Sequence, residues 1–423
     1  MASDRALRVL HLGKHLPPHP GGMERFVDEL MPALSDCGIA SAALVHADAG
    51  RRRSRVHRQA TGLVVRAGVW ARMAFTPISP AWPCWLSRLL ARWRPQVLHL
   101  HLPNPSAFWA LLSPSARRLP WLVHWHADVP EDALDWRLRL FYRLYQPLER
   151  AVLRRAAVIV ATSQAYAGSS KALATFAGKV RVVPLGLPDR AATGQPLAGL
   201  WPETCRLRVL FVGRFSYYKG LNNLVEALSD LPDVAAVLVG DGDQLPALKA
   251  RIEILGLAQR IRLAGRLDDE ELARAYAAAD VLCLPSIERS EAFGLVLLEA
   301  MRAGVATIAT TVPGSGMAEV VGGIAQGVNA KPPPAALSGE DEGETRPGSA
   351  SGQETDAIGE DAAGLLVPPG DVAALRQALA RLRDDPALRQ RLARQGRERF
   401  RQRYDIASVA RGMAGIYREL ANG

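Results

Sequence analysis

Glu291 and Glu299 stand with seven residues between them in the stretch LPSIERSEAFGLVLLEAMRAGVATIATT, from Leu284 to Thr311. Residues 286–292 are polar and turn-like, 293–303 carry a helical pattern, and Gly304 sits where a left-handed cap is favoured. Residues 305–310 then form a short β-rich run. The first turn of this helix, entered through Phe293, Gly294 and Leu295, lacks a capping side chain. It therefore offers free backbone N–H groups to an anion. Glu291 and Glu299 are placed to accept hydrogen bonds from hydroxyls on either side of that anion. A sugar, a diphosphate and a ribose make such a ligand.

Two doubly wound series must position these groups. Residues 7–12 (LRVLHL) read as a buried parallel strand ending at Gly13, 24–34 as an amphipathic helix, and 40–45 as the next strand. Strand, glycine loop, helix, strand is the opening of a doubly wound α/β domain, with Gly21 and Gly22 letting backbone approach a ligand at the helix start. Strands are expected at 97–102, 121–125, 158–162 and 180–184, and a helix kinked or broken at Pro147 at 135–156. Open parallel sheets bind ligands beyond the carboxyl ends of their strands, which places His101, Asn104, His126 and Asp128 at a cleft. The His-x-His pairs invite a metal, yet alternate strand residues share a face whatever their role, and no Cys or acidic partner has ligand spacing. The expectation is a metal-free site. Residues 208–212, 234–239, 261–263 and 281–284 give a second strand series, each ending in a Gly- or Pro-containing loop with polar residues.

The fold expected is α/β: two Rossmann-like domains facing a cleft. The first spans 1–187, with a C-terminal helix at 405–423 packing back on it; 188–206 is a linker, and 207–404 is the second domain. Residues 325–361 carry eight acidic residues against Lys331 and Arg346 and read as a disordered insertion.

The chain has 423 residues, enough for two full cores, and 52 Lys and Arg against 42 Asp and Glu give a net charge of +10. A basic balance fits nucleic acid, an anionic membrane or anionic substrates, but no nucleic-acid recognition motif accompanies it. The RRRSRVHR cluster at 51–58 reads as a solvated loop. Trp82, Trp85, Trp93 and Trp136, interleaved with arginines, fit lipid headgroup contact and helix packing equally well. Cys37, Cys84, Cys205 and Cys283 are scattered and read as reduced thiols. No run approaches the ~20 apolar residues of a membrane span, and no signal-peptide core opens the chain. A cytoplasmic protein is expected, with at most peripheral contact at the inner face of the plasma membrane.

The ordered set GGMERFVDEL, HWHADV, FVGRFSYYKG, VGDGDQ, AGRLDDEEL, SEAFGLVLLEAM and GLLVPPGD resembles the retaining, metal-independent nucleotide-sugar glycosyltransferases of the two-domain GT-B fold, in their family-four group. The resemblance spans nearly the whole chain, and Glu291 and Glu299 match that group's Glu-x7-Glu pattern. It implies that Arg214 and Lys219 stabilise a departing nucleoside diphosphate without a metal. Backbone N–H groups of Gly22, Gly294 and Leu295 add donors from both domains, behind Phe293. Glu299 would hold ribose hydroxyls, Glu291 the sugar hydroxyls, and Leu267 would line the base. His126 matches the cleft histidine near the reacting carbon, and Asp128 is the one other candidate base. No two carboxylates flank a bond as in glycosidases.

The activity implied is transfer of a hexosyl group (mannosyl, rhamnosyl or glucosyl) with retention, to a glycan or lipid-linked acceptor in cell-surface polysaccharide assembly. The nucleotide sugar is the donor substrate, and no cofactor is expected. Two alternatives share the fold: a nucleotide-sugar epimerase and a non-catalytic scaffold.

Overall fold

The computed structural model describes residues 6–19, 21–48, 50–59, 62–73, 76–129, 136–190, 197, 199–325 and 362–423. Its first ten strands are β1 (Leu7–Leu12), β2 (Ile39–His46), β3 (Arg55–Gln59), β4 (Gly62–Ala67), β5 (Ala71–Met73), β6 (Thr76–Ile78), β7 (Val97–Leu102), β8 (Trp121–Trp125), β9 (Val158–Ala161) and β10 (Val180–Val182). Eight of them form one sheet in the order β10-β9-β8-β7-β1-β2-β4-β3, while β5 and β6 make a separate hairpin. All neighbours in that sheet run parallel except β3 and β4. Buried on both faces, these strands read as near-continuous apolar runs. In β7, VLHLHL, Leu98, Leu100 and Leu102 enter one core while His99 and His101 lie on the other face.

The second sheet takes β11 (Leu207–Val212), β12 (Val234–Val239), β13 (Ile261–Gly265), β14 (Val281–Leu284), β15 (Ala306–Thr310), β16 (Ile324–Ala325) and β17 (Gly364–Val367) in the order β13-β12-β11-β14-β15-β17-β16, all parallel. The chain passes between the two halves at Leu187 and at Asp405, and the crossings pair: Leu187 N–H donates to Tyr404 O at 3.0 Å and Ile406 N–H to Leu187 O at 2.9 Å. After the second crossing the Ile406–Asn422 helix packs against the Gly22–Asp36 helix of the first half.

Several sequence expectations change. The basic cluster is no plain loop, because Arg55–Gln59 pairs antiparallel with β4 as an edge strand. Its exposed arginines are the charges that keep an open edge from recruiting another chain. The helix through Pro147 runs unbroken from Trp136 to Arg155. Tyr145, Val152 and Leu153 are buried on it on both sides of Pro147, and that packing offsets the lost N–H. The segment read as linker is anchored near its end, where Leu200 and Trp201 enter the second core and Trp201 Nε1 donates to Val209 O at 3.1 Å. Trp82 is fully buried and stacks on His46, so it is core and not a headgroup contact; Trp85 and Trp93 are half-buried, and the Trp136 side chain is outside what is described. Residues 326–361, nearly all of the acidic segment, lie outside the described residues.

Candidate active site

The carboxyl edge of the second sheet collects the charged groups. After β11 the chain makes a turn at Tyr217–Lys219 and ends it on Gly220, whose φ is 65°. A Cβ there would fall 2.1 Å from Pro285 O, so only glycine lets this loop lie against the segment leaving β14. That close approach delivers the Lys219 ammonium onto the Glu291 carboxylate. Both side chains are largely enclosed. Burial pulls the Lys219 ammonium down and Glu291 pushes it up, and the balance leaves it above its ordinary value. Lys219 is therefore charged throughout the working range. The Glu291 carbonyl in turn accepts Ser315 Oγ at 2.5 Å.

The following helix begins at Leu295, two residues later than expected, on Gly294 in the left-handed region (φ 78°), with no side-chain cap. One turn in, Glu299 is buried with both oxygens engaged: Tyr276 OH donates to Oε2 at 2.8 Å and Arg25 Nη1 to Oε1 at 2.7 Å. Burial, and then Glu299 itself, hold the Tyr276 phenol well above its ordinary value, so it stays a donor. Arg25 belongs to the first half. A Cβ on Gly22, one turn earlier on the same helix, would lie 3.6 Å from the Leu295 side chain. Two helix N-termini, one from each half, thus meet edge to edge.

His126 follows β8 and is 7 % exposed, its backbone N–H on Leu102 O and its ring bonded to His101. Asp128 is not free to act as a base. Its Oδ1 accepts Trp125 Nε1 and Ser170 Oγ, both at 2.7 Å, and its Oδ2 accepts Arg289 Nη1 of the second half at 2.6 Å. Arg289 also lies 4.2 Å over the Tyr166 ring. A third bridge runs from the backbone N–H groups of Gln164 and Ala165 to Glu319.

Lys219, Glu291, Gly294, Leu295, Glu299 and, across the cleft, Gly22 are brought together. Arg214 is not: it is exposed and reaches Asp243 at 3.9 Å. Phe293 is buried with its ring 6.2 Å from Tyr404, so only its backbone can face a ligand. Leu267 is half-buried beside β13. Sequence reasoning missed Arg25, Tyr276 and Arg289. Arg25 carried one signal, its place one turn after Gly22. Strand alternation did not foresee that neighbouring strands bring His11, His99 and His101, and also His101, His124 and His126, within 4.8 Å ligand-atom spacing.

A surface pocket of about 620 Å³ lies elsewhere, between Trp201, Glu203, Arg206, Arg208, Asp280 and Arg389. It sits at the amino edge of the second sheet, with Arg208 and Asp280 closed on each other at 3.0 Å. That is the wrong edge for a ligand in an open parallel sheet.

Two parallel-sheet halves meeting at their carboxyl edges, with paired cations and carboxylates between them, are the GT-B architecture. The description "Glycosyl transferase 4-like domain" matches residues 21–186, and "Glycosyl transferases group 1" matches residues 203–340. Over 402 residues the chain is 29% identical to a D-rhamnosyltransferase of Pseudomonas aeruginosa, covering 94% of this chain and 92% of that one. It is 30% identical to a 2-deoxystreptamine glucosyltransferase of Streptomyces kanamyceticus, covering 88% and 87%. An O-antigen chain mannosyltransferase of Escherichia coli shares 26% over 98% and 99%. Among solved structures, a sucrose-phosphate synthase of Thermosynechococcus elongatus superposes with a TM-score of 0.72 at 23% identity, over 98% and 99% of the two chains. The Anabaena protein HepE, in complex with UDP, gives 0.67 at 19%, over 98% and 100%. The chain belongs to the family-four glycosyltransferases of the GT-B fold.

Proposed function

We propose that this glycosyltransferase moves a mannosyl, rhamnosyl or glucosyl group, with retention and without a metal, from a nucleoside diphosphate sugar to a glycan or lipid-linked acceptor in cell-surface polysaccharide assembly. The observation that carries the reading is the convergence of Lys219, Glu291 and the uncapped Leu295–Ala303 helix opposite Gly22. The diphosphate would lie on the helix N-terminus and the Lys219 ammonium, which take up its developing charge. Arg214 joins by swinging in from the surface. Glu299 takes the ribose hydroxyls, Glu291 the sugar, Leu267 lines the base, and His126 faces the reacting carbon. The relatives are named for rhamnosyl, mannosyl and glucosyl transfer, which supports the sugar class. UDP in the HepE structure supports a nucleoside diphosphate donor.

The acceptor lies against the first half. No helix among the described residues is long and apolar enough to cross a membrane. Peripheral contact at the cytoplasmic face is supported by exposed apolar side chains on that half, Trp109 and Leu112 and, one helical turn apart, Leu144 and Leu148. A helix with an apolar exposed stripe and arginines about it suits an anionic headgroup layer.

The test incubates purified protein and chelator with UDP-, GDP- and dTDP-sugars, with and without lipid-linked acceptor, and follows the products by NMR. Transfer with the donor's anomeric configuration kept is expected. Inversion, a requirement for added metal, or a new sugar nucleotide formed without acceptor would each overturn the reading, the last in favour of an epimerase.

A further inference from the structure

Five histidines share one enclosed layer of the first sheet. In the parallel register His11 on β1 stands opposite His99 on β7, and His101 on β7 opposite His124 on β8. His126 continues the row just beyond β8. Phe26 covers the layer on one side, and Tyr417 of the C-terminal helix bonds His99 Nδ1 at 2.7 Å. Within the layer a continuous chain leads to the cleft. His11 Nδ1 lies 3.2 Å from His101 Nε2, and His101 Nδ1 lies 3.0 Å from His126 Nε2. At the inner end His11 Nε2 is enclosed without a partner; at the outer end His126 is 7 % exposed, where the other four rings are fully buried.

A neutral imidazole has one N–H and one lone pair, so such a chain can run in only two directions. If His126 Nε2–H donates inward, each ring passes its hydrogen on and an N–H is stranded at His11 Nε2. If the hydrogens point outward, the stranded group is a lone pair. An orphaned buried N–H is the rarer and costlier of the two. Burial pushes His11 and His126 down to about 3 and His101 well below its ordinary value, so all three rings are neutral at working pH.

We propose that His101 is a positioning residue: His11 Nδ1–H donates to His101 Nε2 and His101 Nδ1–H donates to His126 Nε2, which fixes the His126 hydrogen on Nδ1. His126 then faces the cleft as a hydrogen-bond donor and not as a base. A donor suits a hydroxyl or ring oxygen of the transferred sugar, and the acceptor's proton must leave by another route. This rests on the reading of His126 as the group beside the sugar.

The test reads the tautomer directly. Long-range 1H–15N correlation on histidine-labelled, unliganded protein at pH 7, with His126→Gln for assignment, should show His126 protonated at Nδ1 and bare at Nε2. His101→Phe should give mixed His126 tautomers and lower kcat by about tenfold to a hundredfold, with donor KM held within about twofold. His101→Asn, whose amide N–H takes the place of Nδ1–H, should restore both. A hydrogen on His126 Nε2, a His101→Phe protein unchanged in spectrum and kcat, or stoichiometric zinc, nickel or copper in the purified protein would overturn the proposal. Wild-type protein that turns over no nucleotide sugar would sink the functional reading alone, since the spectrum is taken without ligand.

Discussion

Arg25 Nη1 and Glu299 Oε1, 274 positions apart in sequence, meet at 2.7 Å across the cleft. The carboxylate assigned to ribose is therefore already occupied, by an arginine from the opposite half and by Tyr276. A ribose hydroxyl on Oε1 must share that oxygen with Arg25, so donor binding competes with the pair. A charge-assisted contact with one partner 28 % exposed contributes about 1 kcal/mol after solvent screening. Arg25→Ala should then tighten nucleoside diphosphate binding by roughly threefold to tenfold, read by titration calorimetry. Unchanged or weaker affinity would sink the competition argument.

The Lys219–Glu291 pair makes a different prediction, because both members are largely enclosed. Removing one leaves the other buried and uncompensated, which costs about 3 kcal/mol. Lys219→Met should lower the unfolding free energy, read by urea titration, by that amount and also abolish transfer. Combining it with Glu291→Gln should return stability to within about 1 kcal/mol of wild type while transfer stays lost. If the double variant regained turnover, the pair would be structural only.

Asp128 stands at the cleft but has every oxygen committed, to Trp125, Ser170 and Arg289. Its work is to clamp the two halves. A general base replaced by its amide loses about a hundredfold or more. Asp128→Asn should instead keep kcat within about tenfold and lower the melting temperature. A loss of a thousandfold at unchanged stability would restore the base assignment.

The fold was legible because its signals are local. Apolar runs of four to six residues ending in glycine loops mark parallel strands, and β1, β7, β8, β12 and β14 fall on the expected residues. The donor-side groups were legible for the same reason, since Glu291 and Glu299 flank one helix start. What stayed hidden depends on distant parts of the chain meeting. Nothing near Glu299 announces Arg25, nothing near Asp128 announces Arg289, and alternation within β7 alone cannot show that β1 and β8 line up their own histidines beside it. Edge strand β3 was hidden by composition, because exposed arginines on an edge resemble a loop.

The histidine layer sets the pH response of stability, and the sign follows from which state holds the protons. His11 and His126 are pushed down to about 3 by burial, and His99, His101 and His124 lie well below their ordinary 6.5. Below pH 6.5 the unfolded chain takes protons that the folded one refuses. Their contribution is complete above 6.5 and is lost as pH falls toward the folded values, by about 1.4 kcal/mol per pH unit for each ring that stays neutral. Glu24 works in the opposite direction. Burial raises its carboxyl, so the folded protein binds that proton more readily and gains stability as pH falls toward 4.5. Asp28, raised by burial too, acts in the same sense as Glu24, while burial lowers His15 to about 3 and His46 to about 4 and adds them to the layer's side. Seven rings against two carboxyls decide the balance. The urea midpoint should fall steeply between pH 6.5 and 5. His124→Leu removes a ring with neither nitrogen partnered, and should flatten the slope by about one proton. A midpoint that is level or rises over that interval would mean the layer is not neutral, and that something within it carries charge.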